Sequence, residues 1–262
     1  MTHQIDNYHY FYQKAKNEPK GIIVFIHGFA TTSSYHMPFV EQLEDYDYYA
    51  IELPGHGHTP ISSINELSPY NLAIHVVKWI ELLKLNNFYL IGHSMGGGIS
   101  GMVANMIPEK IIKLIMVTPM NSSLSKKLFN VFKFNPKNNK ETLKMQEMLF
   151  KDYKKFFTSE NDPKIIEETN YQLQYKKNFS WLLTRMCGLP NHLHLKKAEK
   201  NLKLTILLIL GIGDDIIDWE STSKLFTKRN NFSIMIFDNS GHLPFIEESK
   251  KYYKTIMNFI KN

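Results

Sequence analysis

Apolar residues arrive along this chain in short, dense runs separated by turn-forming residues. Residues 22–26, Ile-Ile-Val-Phe-Ile, are ended by His27-Gly28 and predict a buried strand feeding a loop. Similar runs predict strands over residues 46–53, 88–91, 111–117, 204–210 and 232–237, with Pro54-Gly55 and Thr118-Pro119 closing two of them. Residues 8–13 predict an antiparallel edge strand. Between the runs the period changes: Leu72, Val76, Trp79, Ile80 and Leu83 share one face of a helix over residues 67–83. Shorter helices are predicted over 98–106, 219–226 and 247–260. Strands apolar on both faces and alternating with helices predict an α/β fold, its central sheet mostly parallel and covered on both sides.

Residues 119–201 break that rhythm. Pro136, Pro163 and Pro190 divide this interval into about four helices. It reads as a helical cap inserted before the fifth parallel strand, leaving a core of residues 1–118 and 202–262. The cap aromatics, among them Phe129, Phe132, Phe134, Phe150, Phe179 and Trp181, are expected mainly to join its helices. The remainder would line an apolar pocket above Ser94.

Composition narrows the class. Of 262 residues, 43% are apolar and 21% charged, enough for one sizeable core and too few for three domains. The single cysteine, Cys187, excludes an internal disulfide and suits a reducing compartment. Residues 1–17 lack the apolar stretch of a secretory signal, and the run over 204–210 is too short to cross a bilayer. These features predict a soluble cytoplasmic protein.

The net charge of +6 is unevenly held. Residues 119–201 carry 16 Lys/Arg against 8 Asp/Glu, and the rest of the chain carries 15 against 17. A solvated, lysine-rich cap surface is the plain reading, and peripheral attraction to anionic lipid the sharper one. No base-reading motif accompanies the charge, which argues against nucleic acid.

Candidate chemistry concentrates in Leu90-Ile91-Gly92-His93-Ser94-Met95-Gly96-Gly97-Gly98-Ile99-Ser100-Gly101, where two motifs overlap. Residues 92–96 fit G-x-S-x-G, a nucleophile elbow, and residues 96–101 fit G-x-G-x-x-G, a dinucleotide fingerprint. The fingerprint needs its first glycine directly after a strand and an acidic residue closing the next strand. Here four residues intervene, and the next strand ends in Met116-Val117-Thr118-Pro119. The elbow fits better. A bend that projects one side chain between strand and helix strains that residue and needs small neighbours, which Gly92 and Gly96 supply. The helix N-terminus that follows directs free N–H groups toward a developing oxyanion.

A serine hydroxyl needs a base. Asp238-Asn239-Ser240-Gly241-His242 follows the last strand and offers His242. Leu210-Gly211-Ile212-Gly213-Asp214-Asp215 leaves the strand before it and offers an acid to hold the imidazole. The order Ser94, Asp214, His242 is that of the α/β-hydrolases.

On these motifs the sequence resembles, over nearly its whole length, the esterase/lipase branch of the α/β-hydrolase fold. Phe25-Ile26-His27-Gly28-Phe29 resembles the family's H-G-x oxyanion loop, and Leu53-Pro54-Gly55-His56-Gly57-His58-Thr59 its D-L-P-G-H-G-x-S turn. Glu52 and Thr59 depart from that turn conservatively. Gly211 to Asp214 resembles the G-x-x-D acid loop, and Gly241-His242 the base loop. Asp218 stands where proline is common, which leaves Asp214, Asp215 and Asp218 as candidate acids; the spacing from Gly211 favours Asp214. The G-H-S-M-G-G form is similar to monoglyceride lipases and small carboxylesterases.

The resemblance implies two-step acyl transfer on a small-molecule ester of acyl or monoacylglycerol type. Ser94 is then the nucleophile, His242 the base and Asp214 its orienting acid. The backbone N–H groups of Phe29 and Met95 form the oxyanion hole, and His27 and Gly28 support its loop; a proton-transfer role for His27 is the alternative. No metal or organic cofactor is called for. His56/His58 and His192/His194 lack partners at metal-ligand spacing, and Cys187, without an elbow of its own, is expected to be a buried cap residue. Proline iminopeptidase-like and thioesterase readings stay open, although Met95 stands where the former tends to carry Trp. A non-catalytic hydrolase-fold ligand-binding protein is the reading from another class, since it would keep the same triad.

Overall fold

The computed structural model describes residues 2–123, 126–227 and 229–262, with the backbone alone for residues 126, 128, 129 and 132. The side chains of Phe129 and Phe132, expected among the cap aromatics, therefore lie outside the described residues.

Eight strands form one sheet: β1 (Thr2–Ile5), β2 (Tyr8–Gln13), β3 (Ile22–Ile26), β4 (Asp47–Ile51), β5 (Phe88–His93), β6 (Ile111–Val117), β7 (Ile206–Gly211) and β8 (Phe232–Phe237). Their order is β1-β2-β4-β3-β5-β6-β7-β8. From β4 to β8 all pairings are parallel, while β1–β2 and β2–β4 are antiparallel. The edge expected at β2 is displaced by β1. Its Thr-His-Gln-Ile sequence has no apolar run to announce it, and a tight turn with Asp6 at φ 50° folds it back on β2. The inner strands are buried because both faces are covered; β7 is buried at all six positions. At the opposite edge, β8 alternates between partly buried and exposed positions.

Ten α-helices are described: α1 (Met37–Val40), α2 (Pro69–Leu82), α3 (Met95–Met106), α4 (Asn139–Leu149), α5 (Pro163–Gln174), α6 (Lys176–Met186), α7 (Leu189–Asn201), α8 (Trp219–Phe226), α9 (Pro244–Glu247) and α10 (Ser249–Lys261). Helices α4 to α7 occupy the interval between β6 and β7. Their starts follow local chemistry: Asn138 caps α4 by accepting from Glu141 N, and Asp162 caps α5 ahead of Pro163. Helix α3 lies against β5 and β6, and against α2 and α7.

The register brings the carboxyl ends of the inner parallel strands together. Ile26 pairs with Gly92, His93 with Val117 and Val117 with Ile209, so the parallel strands end nearly level. The chain order reverses about β3, which has β4 on one side and β5 on the other. In open α/β sheets the crevice at such a switch point is where ligands bind.

Candidate active site

Strand β5 ends at His93 and α3 begins at Met95, leaving Ser94 alone in the bend at φ 54°, ψ −119°. For a residue with a Cβ this geometry costs on the order of 1–3 kcal/mol, and the surroundings enforce it. Ser94 N–H donates to Val117 O at 2.9 Å, while its carbonyl accepts from Gly97, Gly98 and Met120 N–H groups at 2.9, 3.2 and 2.8 Å. Glycine is required at 96 because a Cβ there would run into the carbonyls of Ile26 and His27. That close approach sets the end of β3 beside the start of α3. Met95 is the first helical residue, so its N–H belongs to the set a helix leaves without an internal partner.

The loop after β3 is held by two buried imidazoles. His27 Nε2 accepts the Leu53 N–H at 3.0 Å, so its Nδ1 carries the proton and donates to Gly28 O at 2.8 Å. His56 Nε2 accepts the Ala30 N–H at 3.2 Å, and its Nδ1 donates to Pro54 O at 3.3 Å. The two rings thus hold both ends of the turn that carries Phe29. Burial keeps them neutral, pulling His27 down to about 4 and His56 well below the ordinary histidine range, the latter aided by the neighbouring His27 ring. Both nitrogens of His27 are engaged, which suits a supporting contact and leaves none for proton transfer. Phe29 packs against Phe179 of α6 at 5.6 Å between ring centres.

His242 Nδ1 lies 2.7 Å from Asp214 Oδ2, and Asp214 Oδ1 accepts the N–H groups of Ile216 and Ile217 at 2.7 and 2.8 Å. The side chains are 4% and 1% exposed, so water does not compete for this pair. The neighbouring aspartates are used otherwise. Asp215 is exposed and pairs with Lys127 at 3.6 Å, and Asp218 caps α8 by accepting from Glu220 N at 3.1 Å. Gly211 lets the acid and base loops touch, since a Cβ there would strike the carbonyls of Ser240 and Gly241.

The backbone of His242 is fixed from three sides. Its N–H donates to Leu149 O at 2.7 Å, at the end of α4. Its carbonyl accepts from His93 Nε2–H and Thr118 Oγ1–H, each at 3.0 Å. His93, Thr118 and Leu149 were not among the residues expected to serve the site. His93 sits inside the serine motif and Thr118 at a strand end, positions that could have drawn notice, but nothing in linear spacing points to Leu149.

Ser94 and His242 line a slot of about 40 Å³ together with Gly28, Phe29 and Tyr35. Ser94 also lines a larger cavity of about 420 Å³, walled by Met120, Met186, Cys187, Leu195, Ile216 and Asn191. Cys187, expected to be buried, is half-buried and faces this cavity. The two departures in the turn after β4 have structural uses: Glu52 Oε2 accepts the His58 N–H at 2.8 Å, and Thr59 Oγ1 accepts the His9 N–H at 2.9 Å.

A strained serine at a strand-to-helix bend, lining one slot with the histidine of a buried acid–histidine pair, is the architecture of a hydrolase. The family described as alpha/beta hydrolase fold matches residues 21–249, and the chain belongs to it. Within the family it falls in the esterase/lipase branch. It is 30% identical to putative esterase/lipase 3 of Mycoplasma pneumoniae, over 100% of this chain and 94% of that protein. It is 24% identical to monoacylglycerol lipase ABHD6 of Bos taurus, over 92% of this chain and 75% of that protein. Among solved structures, a putative lipase from Acinetobacter baumannii has the same fold, with a TM-score of 0.85 at 18% identity over 99% of this chain and 90% of that one.

Proposed function

We propose that this esterase/lipase hydrolyses acyl or monoacylglycerol-type carboxylic esters through a Ser94-Asp214-His242 triad and an acyl-enzyme. The observation that carries the reading is the 2.7 Å contact between His242 Nδ1 and a fully tethered Asp214, with Ser94 and His242 lining one slot. His242 Nε2 takes the proton of Ser94 as Oγ attacks the ester carbonyl carbon. The carbonyl oxygen becomes an oxyanion held by the N–H groups of Phe29 and Met95; loss of one such donor typically costs about 10²–10³ in rate. The ester C–O bond breaks as His242 returns the proton to the leaving alcohol. Water then repeats the sequence on the acyl-enzyme, releasing the acid and free Ser94.

The cavity beyond the slot supports the substrate class. Its walls are mostly apolar, as an acyl chain requires, and its volume falls in the range of small-molecule sites. One wall carries Asn191, which is 5% exposed; its Nδ2 donates to Met186 O at 2.7 Å, while its Oδ1 has no partner among the described residues.

Labelling with a fluorophosphonate probe, run beside p-nitrophenyl ester hydrolysis, tests the mechanism. Wild-type protein is expected to label and turn over, and Ser94→Ala to do neither. Full ester hydrolysis by Ser94→Ala would eliminate the scheme, and an unlabelled but folded wild type would favour a ligand-binding role.

A further inference from the structure

We propose that the outer face of α6 and α7 docks on an anionic lipid surface and thereby presents the Ser94 cavity to its substrate. Sequence spacing and burial together draw the face. On α6, Lys177, Trp181 and Arg185 recur every four residues and are exposed, with the Arg185 guanidinium 4.9 Å from the centre of the Trp181 ring. On α7, Leu189, Leu193 and Lys197 follow the same spacing, with Lys196 and Lys200 beside them. Asn191, Leu195 and Ala198 take up the buried side of that helix.

Two features set this face apart from ordinary surface. Leu189 is 69% exposed and Leu193 55%, the two most exposed large apolar residues among those described, and they share one groove; Trp181, 36% exposed, lines a second groove that has Pro190 and His194 in common with the first. Scattered exposed leucines are ordinary, but a contiguous apolar patch with a charged rim marks an interaction site. The rim here has one sign. Residues 176–201 carry six Lys/Arg and a single acid, Glu199, which is buried and accepts the Ser122 N–H at 2.7 Å. Apolar residues flanked by lysine and arginine, with a tryptophan at the boundary, match the chemistry of an anionic bilayer interface.

The face also continues into the catalytic cavity. Leu189 lines that cavity together with Ser94, and it lines a second groove with Leu193, Met102 and Met106. An acyl chain leaving a docked bilayer would pass from Leu193 to Leu189 and on to Met186 along the apolar side of a groove that Lys197 also lines. This gives the basic surplus of the cap a use that a merely solvated surface lacks.

The test uses Ser94→Ala protein, so that binding is read without hydrolysis and independently of the mechanism proposed above. Sedimentation with phosphatidylglycerol–phosphatidylcholine vesicles is expected to show binding that weakens as salt rises, and vesicles of phosphatidylcholine alone should retain little protein. Each lysine near the surface is worth about five-fold in partitioning, so Lys196→Gln/Lys197→Gln/Lys200→Gln should bind about 100-fold more weakly. Trp181→Ser/Leu193→Ser should also lose binding. In the Ser94 background both sets should keep wild-type turnover of a soluble short-chain ester, which excludes misfolding. Equal binding to neutral vesicles, no binding by the parent protein, or unchanged binding by both variant sets would overturn the proposal. So would dimerisation in the absence of lipid that Trp181→Ser/Leu193→Ser abolishes, since a second copy would then own the face.

Discussion

The side-chain amide of Gln172, on α5, donates to the carbonyl oxygen of Ala30 at 3.1 Å, one residue beyond the expected oxyanion donor Phe29. The same helix receives the Tyr35 hydroxyl on Glu168 Oε2 at 2.6 Å and sends the Tyr171 hydroxyl to Thr31 O at 3.4 Å. The loop after β3 is therefore held by His27 and His56 on one side and by α5 on the other. Leaving a buried carbonyl unpaired costs about 1–3 kcal/mol. Gln172→Leu, which keeps bulk and removes the donor, should lower kcat on p-nitrophenyl esters about ten-fold with little change in KM. Unaltered kcat would show that α5 does not position the loop.

The strain at Ser94 predicts a trade of activity for stability. Ser94→Gly should abolish ester hydrolysis while releasing on the order of 1–3 kcal/mol, because glycine tolerates φ 54°, ψ −119°. In a protein of this size each kcal/mol moves the melting temperature by about 2–4 °C. Differential scanning calorimetry of the variant checks this, and a lower melting temperature would contradict it.

Two glycines of α3 should respond in opposite ways to the same substitution. At 96 a methyl group meets the Ile26 and His27 carbonyls, whereas at 101 it meets Met116 Cε at 3.6 Å and Leu202 Cδ1 at 3.9 Å, ordinary contact. Gly96→Ala should cost about 3 kcal/mol or more and most of the activity. Gly101→Ala should gain up to about 1 kcal/mol from helix propensity. Urea denaturation of both variants decides it.

Burial holds His27 down to about 4 and His36 down to about 3. The folded protein therefore binds fewer protons than the unfolded chain once pH falls below the ordinary histidine value. Stability should be full above about pH 6.5 and decline as pH falls toward 4, where His27 begins to protonate in the folded state as well. Urea midpoints at about pH 7.5 and about pH 5 should differ, with the acid one lower. Equal midpoints would mean that these rings are not held neutral.

Much of the core was legible because its signals are local. The strands Ile22–Ile26, Ile111–Val117 and Phe232–Phe237 have the residue bounds that their apolar runs predict, and α2 differs from its predicted span only at its ends. Strand β1 was missed because half of its residues face solvent and carry no apolar pattern. The residues that hold the site from a distance were less legible. Leu149 contributes a carbonyl, which every residue has, and Gln172 looks like any polar residue on an amphipathic helix.

The sequence by itself determined the parallel strands and their order along the chain, the glycine-flanked bend around Ser94 and the chain order of Ser94, Asp214 and His242, because each is written in neighbouring letters and backbone sterics. Spacing from Gly211 already favoured Asp214 over Asp215 and Asp218, and the tertiary structure decided the distance at which its carboxylate meets His242. It also decided the fixing of both imidazole tautomers beside Phe29 and the seating of α5 on the loop after β3. These depend on which groups meet after distant segments pack, and hydrogen bonds at 2.7 to 3.1 Å are set by that packing rather than by spacing along the chain.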